Sequence, residues 1–186
     1  MSRIKVIQEN QATGRLKEIY ENLTSSRGKI AEVHKIQSLR PESIVKHMEL
    51  YMEIMYSKSE LSRAQREMIA VIVSKFNNCE YCQTHHGAAL NRYWKDESRV
   101  HQLRSDFNRC DLSKEDLALC NYAKNVTINT QLLEENDFTA ELKELEFSDE
   151  AILDTTLVTA YFNFVNRIVL SLGVHLEEDQ GEGYKY

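Results

Sequence analysis

A single proline, Pro41, and only six glycines punctuate 186 residues in which apolar side chains return at three- and four-residue intervals. That period belongs to helices, since a half-buried strand alternates every second residue. The expected fold class is therefore all-α, a single-domain helical bundle with no substantial sheet. A content of 42% apolar and 28% charged residues is ordinary for a globular chain and argues against disorder.

Along the chain, Leu16, Ile19, Tyr20 and Leu23 share one stripe, and the segment from Thr24 to Gly28 interrupts their helix. A short helix through Ile30, Val33 and Ile36 follows. Pro41 suits a first helical turn, after which Ile44, Met48, Tyr51, Met52 and Met55 form the next apolar face. Ser62 and Gln65 fit a capping box, and the helix they open is apolar on most sides, through Ile69, Ala70, Ile72, Val73 and Phe76. It is expected to be the buried centre. Asn77-Asn78 breaks it, and a further helix is expected from Cys79 to about Trp94, with another around Val100–Phe107. Ser113 caps a helix with Leu117, Cys120, Ala123 and Val126 on one face, which makes Cys120 a core thiol, whereas Cys110 lies in a polar connection and is expected to be exposed. Thr139 opens a short helix ending near Phe147. Ser148 caps the last long one, whose buried face is expected to hold Leu153, Leu157, Tyr161, Phe164, Ile168 and Leu172, and Gly173 stops it. Residues 1–176 form the domain, and 177–186 read as an acidic tail expected to fray.

The net charge of −6 is spread without a lysine- or arginine-rich block, so nucleic acid is not an expected partner. No stretch approaches the roughly 18–20 uninterrupted apolar residues that span a bilayer, and the N-terminus lacks an apolar signal core. No membrane association is expected, and the location is expected to be cytoplasmic. In a reducing compartment a Cys-x-x-Cys reads as redox or metal chemistry.

That motif lies between Glu67 and His86. If the segment after Asn77-Asn78 is helical, Cys79, Cys82 and His86 stand three and four residues apart on one face. Residues i and i+3 of a helix are about 5 Å apart at Cα, within the roughly 4.4–6.8 Å that a disulfide needs. A thiol attacks as thiolate, and both a helix N-terminus and a histidine lower its pKa. In an antiparallel helical hairpin, Glu67, ten residues before Asn77, comes to the level of His86, eight after Asn78, where its carboxylate can orient the imidazole and accept its proton. A glutamate in so apolar a helix needs a partner. Zinc is the metal alternative, but the cysteines and one fitting histidine fall short of the usual four ligands. Two unconnected core thiols beside a surface histidine would explain the same residues with no chemistry.

The spacing Glu67, eleven residues, Cys79, two residues, Cys82, three residues, His86 resembles the Glu-x11-Cys-x2-Cys-x3-His pattern of the alkylhydroperoxidase D proteins within the carboxymuconolactone decarboxylase superfamily. The run from Asn78 to Gly87, the later run from Ala160 to Ile168, and Leu172-Gly-Val174 are similar to its peroxidase-related branch. The resemblance implies an alkylhydroperoxidase D-like all-α fold, a homo-oligomer packed through apolar helices, and thiol-dependent reduction of hydroperoxides without haem, metal or flavin. It implies Cys82 as the attacking thiol, Cys79 as the resolving thiol, and His86 with Glu67 as the proton relay, with a hydroperoxide as substrate and an external dithiol or thiol protein as reductant. Two positions depart from the pattern. Tyr81 stands where the best-known peroxidase of the family has a further histidine, which bears on proton delivery and on the natural substrate. Glu146 stands where the branch has glycine, and is expected to alter only a turn. Both cysteines are kept, which argues against the lactone decarboxylation also found in the superfamily. The alternative function is a redox-sensing or partner-binding helical oligomer with little turnover.

Overall fold

The computed structural model describes residues 2–177, so all of the expected tail except Glu177 lies outside the described residues. Those residues form the helices α1 (Gly14–Arg27), α2 (Glu32–Lys35), α3 (Pro41–Tyr56), α4 (Arg63–Phe76), α5 (Glu80–Trp94), α6 (Glu97–Asp106), α7 (Lys114–Ile128), α8 (Ala140–Glu144) and α9 (Asp149–Leu172), joined by short turns, with no strand among them.

Helix α4 is the axis of the molecule. Its capping box closes as the sequence predicts: Gln65 N donates to Ser62 Oγ at 3.2 Å, and Ser62 N donates to Gln65 Oε1 at 2.9 Å. Every residue from Arg66 to Ser74 is buried. Helices α5, α7 and α9 surround it, and a second, smaller core forms where Leu16, Ile19, Tyr20 and Leu23 of α1 meet Ile44 of α3. Ser113 and Ser148 cap α7 and α9 through their hydroxyls, and Gly173 ends α9 at φ 66°.

The turn between α4 and α5 positions the site. Asn78 takes φ 55°, a left-handed conformation that asparagine tolerates better than most residues. Cys79 N then donates to Ser74 O at 2.8 Å. Cys79 is consequently the N-cap of α5, at φ −90° and ψ 89°, and not its first helical residue. The expected helix start shifts by one position because the chain is still completing the turn there.

Two expectations about burial are corrected. On α9, Leu153, Leu157 and Phe164 are 57%, 41% and 49% exposed, while the inward face holds Ile152, Thr155, Val158, Thr159, Tyr161, Phe162, Val165, Asn166 and Val169. Threonine can be buried there because its hydroxyl returns to the helix's own carbonyls, Thr155 Oγ1 to Ala151 O at 2.7 Å and Thr159 Oγ1 to Thr155 O at 2.8 Å. Of the expected face Tyr161 is buried and Ile168 and Leu172 are half-buried, so hydrophobicity alone placed the face only in part. Cys110 is buried, its thiol 3.6 Å from Arg99 O, because the connection it sits in folds back on α6. The expected turn at Glu146 is present, with that residue at φ 62°.

Candidate thiol site

The helical hairpin brings Glu67 against His86, with His86 Nδ1 2.6 Å from Glu67 Oε2. The glutamate is completely buried. Its other oxygen, Oε1, accepts from Arg63 Nη2 at 2.7 Å. Arg63 lies one turn earlier on α4, donates also to Met55 O, and stacks over the Tyr56 ring at 3.5 Å. The Arg63 guanidinium is the counter-charge of this carboxylate, and with Glu67 as the acceptor the hydrogen of the bond is assigned to His86 Nδ1. Nε2 is left as the basic one. Sequence reasoning missed Arg63, although its i, i+4 spacing from Glu67 was a readable signal.

Cys79 and Cys82 are both thiols, and their sulfurs are 2.6 Å apart. Both are buried. The hydrogen bond with Cys82 lowers the Cys79 thiol against the opposing effect of burial. Cys82 moves the other way: burial pushes it well up, and the neighbouring Cys79 adds to this. The bond from Cys82 and the helix N-cap position thus favour charge on Cys79, whereas burial disfavours it on Cys82.

Access separates the two thiols. Cys82 lines a cavity of about 70 Å³ together with His86, His85, Tyr81, Tyr161 and Phe162. Cys79 instead borders a shallow surface groove with Leu170, Gly173 and Val174. The rest of the cavity wall includes His34, His47, Tyr51 and Arg27. Burial, followed by the neighbouring His47, drives His34 well below the usual imidazole range, and burial brings His47 down to about 4. His47 Nδ1 is held by Gln37 Nε2 at 2.8 Å, and its ring meets that of Tyr161 edge-on. Both histidines are neutral at neutral pH, and His47 Nδ1 accepts from the Gln37 amide.

On the opposite rim His85 Nε2 is 2.7 Å from Glu177 Oε2. Glu177 Oε1 accepts from Tyr81 OH at 2.9 Å and from Glu32 N at 3.0 Å, and the Tyr81 and His85 rings lie 4.3 Å apart. Burial alone would raise the Glu177 carboxyl, but the bond and charge of His85, joined by the Glu32 and Glu177 backbone N–H groups, together outweigh it and hold the group at about 2. Glu177, which the sequence assigns to a fraying tail, is thus an anchored residue. The structure brings Glu67, His86, Cys82 and Cys79 together. Cys120 is fully buried on α7 and lines no part of this cavity; burial pushes its thiol well up. Among the described residues no group of three or more His, Cys, Asp or Glu side chains is placed to hold a metal ion, and no helix is long and apolar enough to cross a membrane.

The carboxymuconolactone decarboxylase family model matches residues 44–104, which span α3, α4, α5 and most of α6. The fold is similar to the alkylhydroperoxidase D core of a peroxidase-related protein from Ralstonia eutropha JMP134, at a TM-score of 0.85 and 24% identity over 99% of this chain and 98% of that one. It is also similar to a cysteine-to-alanine variant of the debrominase Bmp8 in complex with 2,3,4-tribromopyrrole, at a TM-score of 0.78 and 18% identity over 97% and 96% of the two chains. The Bacillus subtilis (strain 168) protein YdfG is 26% identical over 123 residues, 66% of this chain and 82% of YdfG. The chain thus has the all-α fold of alkylhydroperoxidase D-like proteins, and residues 44–104 of it match the carboxymuconolactone decarboxylase family model.

Proposed function

We propose that the protein is a thiol-dependent peroxidase that reduces hydroperoxides through Cys82 and Cys79. The observation that carries this reading is the placement of Cys82 on a small cavity with His86, while the Cys79 sulfur stands 2.6 Å behind it. His86 Nε2, the unprotonated ring nitrogen, takes the proton of the Cys82 thiol on the cavity they share. The Cys82 thiolate attacks the terminal peroxide oxygen. An S–O bond forms, the O–O bond breaks, and the departing alkoxide takes a proton from His86 Nε2 to leave as an alcohol. Cys79 then attacks the sulfenic sulfur, water leaves with the Cys79 proton, and a disulfide remains. An external dithiol reduces it and returns the protons. The balance is one hydroperoxide and one external dithiol converted to one alcohol, one water and one external disulfide. Glu67, with Arg63 on its other oxygen, orients His86 and stabilises its imidazolium.

The exposed stripe of Leu153, Leu157 and Phe164 on α9 supports packing against a second copy of the chain. The reading is tested by steady-state consumption of tert-butyl hydroperoxide with dithiothreitol as reductant. Cys82→Ser is expected to abolish turnover, and Cys79→Ser to stop after one equivalent with a trapped sulfenic acid. A Cys82→Ser protein that consumes peroxide at the unmutated rate overturns the mechanism, and a wild type that reacts once without cycling favours a redox sensor. A second reading comes from the aromatic wall of Tyr51, Tyr161 and Phe162, which suits a planar ring. The same two thiols can replace a ring bromine by hydrogen, releasing bromide and forming the disulfide. Bromide release from 2,3,4-tribromopyrrole measures it directly.

A further inference from the structure

The cavity that Cys82 shares with His86 has a polar wall for which the scheme above has no use. His34 of α2, His47 of α3 and Tyr161 of α9 line it, and these residues are only 9%, 5% and 5% exposed. Their rings hold one another in place: His34 meets His47 edge-on with centroids 5.3 Å apart, and His47 meets Tyr161 edge-on at 5.6 Å. Buried polar atoms normally have a partner. Among the described residues, neither nitrogen of His34, nor His47 Nε2, nor the Tyr161 hydroxyl has a hydrogen-bond partner, yet none of these atoms is sealed inside the core. They open onto the cavity.

For His47 the hydrogen can be placed. Gln37 Nε2 donates to Val33 O at 2.8 Å, which fixes the donor end of that amide, and its second hydrogen goes to His47 Nδ1 at 2.8 Å. Nδ1 accepts, so the neutral ring carries its hydrogen on Nε2, the nitrogen without a partner. Burial keeps both imidazoles uncharged at neutral pH. The Arg27 guanidinium, on the same wall, is committed to the Tyr51 ring at 5.4 Å and to Met52 Sδ at 3.9 Å. A carboxylate on this wall would need a counter-charge that the imidazoles do not supply. Two neutral donors, His47 Nε2–H and Tyr161 O–H, instead match the two lone pairs of a carbonyl oxygen. At about 70 Å³ the cavity takes only a few heavy atoms.

We propose that His47 Nε2–H and Tyr161 O–H, with His34 beside them, form a subsite for a carbonyl oxygen, so that the cavity selects compact hydroperoxides carrying a carbonyl group, the class of the peroxycarboxylic acids. The substrate class rests on the reading of Cys82 as the peroxide-attacking thiol; the subsite itself does not. With such a substrate the O–O bond breaks to release a carboxylate in place of the alkoxide, and it takes the same proton from His86. The balance becomes one peracid and one external dithiol converted to one carboxylic acid, one water and one external disulfide.

The test needs no peroxide at first. Cys82 of the reduced full-length chain is alkylated with iodoacetamide, which carries a carbonyl, and with iodoethane, which does not, and fragment-ion mass spectrometry separates Cys82 from Cys79. The ratio of the two rates cancels any change in the thiolate fraction. Tyr161→Phe deletes only the hydroxyl, and His47→Asn keeps an acceptor for Gln37 but loses the Nε2 donor. Each is expected to lower the ratio by about three- to tenfold, the worth of one neutral hydrogen bond. Tyr122→Phe removes a hydroxyl that bonds Thr156 away from the cavity, and is expected to leave the ratio in place. If His47→Asn does not fold, Tyr161→Phe decides. A ratio unmoved in Tyr161→Phe, or moved equally by Tyr122→Phe, overturns the proposal. Single-turnover oxidation by peracetic acid and by ethyl hydroperoxide, read as the disulfide after quenched flow, is scored separately, with the same fall expected in their ratio. A lowered alkylation ratio in a chain that neither peroxide oxidises supports the subsite and rejects the peroxidase, whereas an unmoved ratio in an active peroxidase rejects the subsite alone.

Discussion

His85 and His86 are adjacent on α5, and each is bound by a glutamate, yet the two pairs are built in opposite ways. Successive residues on a helix point about 100° apart, so His86 faces into α4 while His85 faces the rim formed by α2 and the segment after α9. The partner of His86, Glu67, comes from the most buried helix; its side chain is 1% exposed, and Arg63 occupies its second oxygen. The partner of His85, Glu177, is the last described residue; its side chain is 14% exposed, and its second oxygen takes uncharged donors, Tyr81 OH and Glu32 N. One pair is part of the core, and its charges have no water to fall back on. The other closes the cavity from outside, at a cost that solvent can partly offset.

The contrast predicts unequal consequences. Glu67→Ala leaves the Arg63 guanidinium buried without a counter-charge and is expected to cost about 3–5 kcal/mol of stability, measured by urea unfolding at pH 7. A loss below about 1 kcal/mol would show that water reaches Arg63 and would erase the distinction. Glu177→Gln is expected to cost about 1 kcal/mol at the same pH. The rim pair carries a pH signature as well. Glu177 sits at about 2 in the folded chain against an ordinary 4.5, so the unfolded chain binds this proton first as pH falls. Its contribution is complete above pH 4.5 and is lost between 4.5 and about 2. The Gln variant lacks that component, so its stability should fall less steeply across this window than that of the unmutated chain. Parallel curves would mean that the carboxylate is not anchored.

The core pair was legible in the sequence and the rim pair was not. Ser62, Asn77-Asn78 and the apolar run between them fix two helices and a turn, after which counting outward from the turn places Glu67 at His86. Glu177 meets His85 across 92 residues, through a path set by α9 and its exit at Gly173, and no local pattern encodes such a contact. The same limit hid Asn166, whose bonds with Asn77 and Ser74 depend on how α9 crosses the α4–α5 turn. His47 was passed over for a further reason. It is buried on the inner face of α3 between Ile44 and Met55, which is possible because Gln37 satisfies its ring nitrogen. The misassigned face of α9 has that cause too: buried threonine and asparagine look like surface residues until their partners are known.

The smallest expected effect distinguishes which donor holds the rim together. Tyr81→Phe keeps the ring that lies 4.3 Å from His85 and deletes the hydroxyl, which donates to Glu177 at 2.9 Å and accepts from Val33 N at 3.4 Å. The cost should be about 0.5–1 kcal/mol, because one neutral hydrogen bond and part of another are lost while the ring still fills its place. The acid component should survive, since the bond to His85 is the main contact holding Glu177 at about 2. Unfolding curves of Tyr81→Phe and Glu177→Gln between pH 4.5 and 2 therefore differ in kind: the first is offset from wild type but parallel to it, and the second is flatter. A Tyr81→Phe protein with the flat curve would make the phenol the anchor of Glu177, and the two histidines would then differ in what holds their carboxylates and not only in how deeply those are buried.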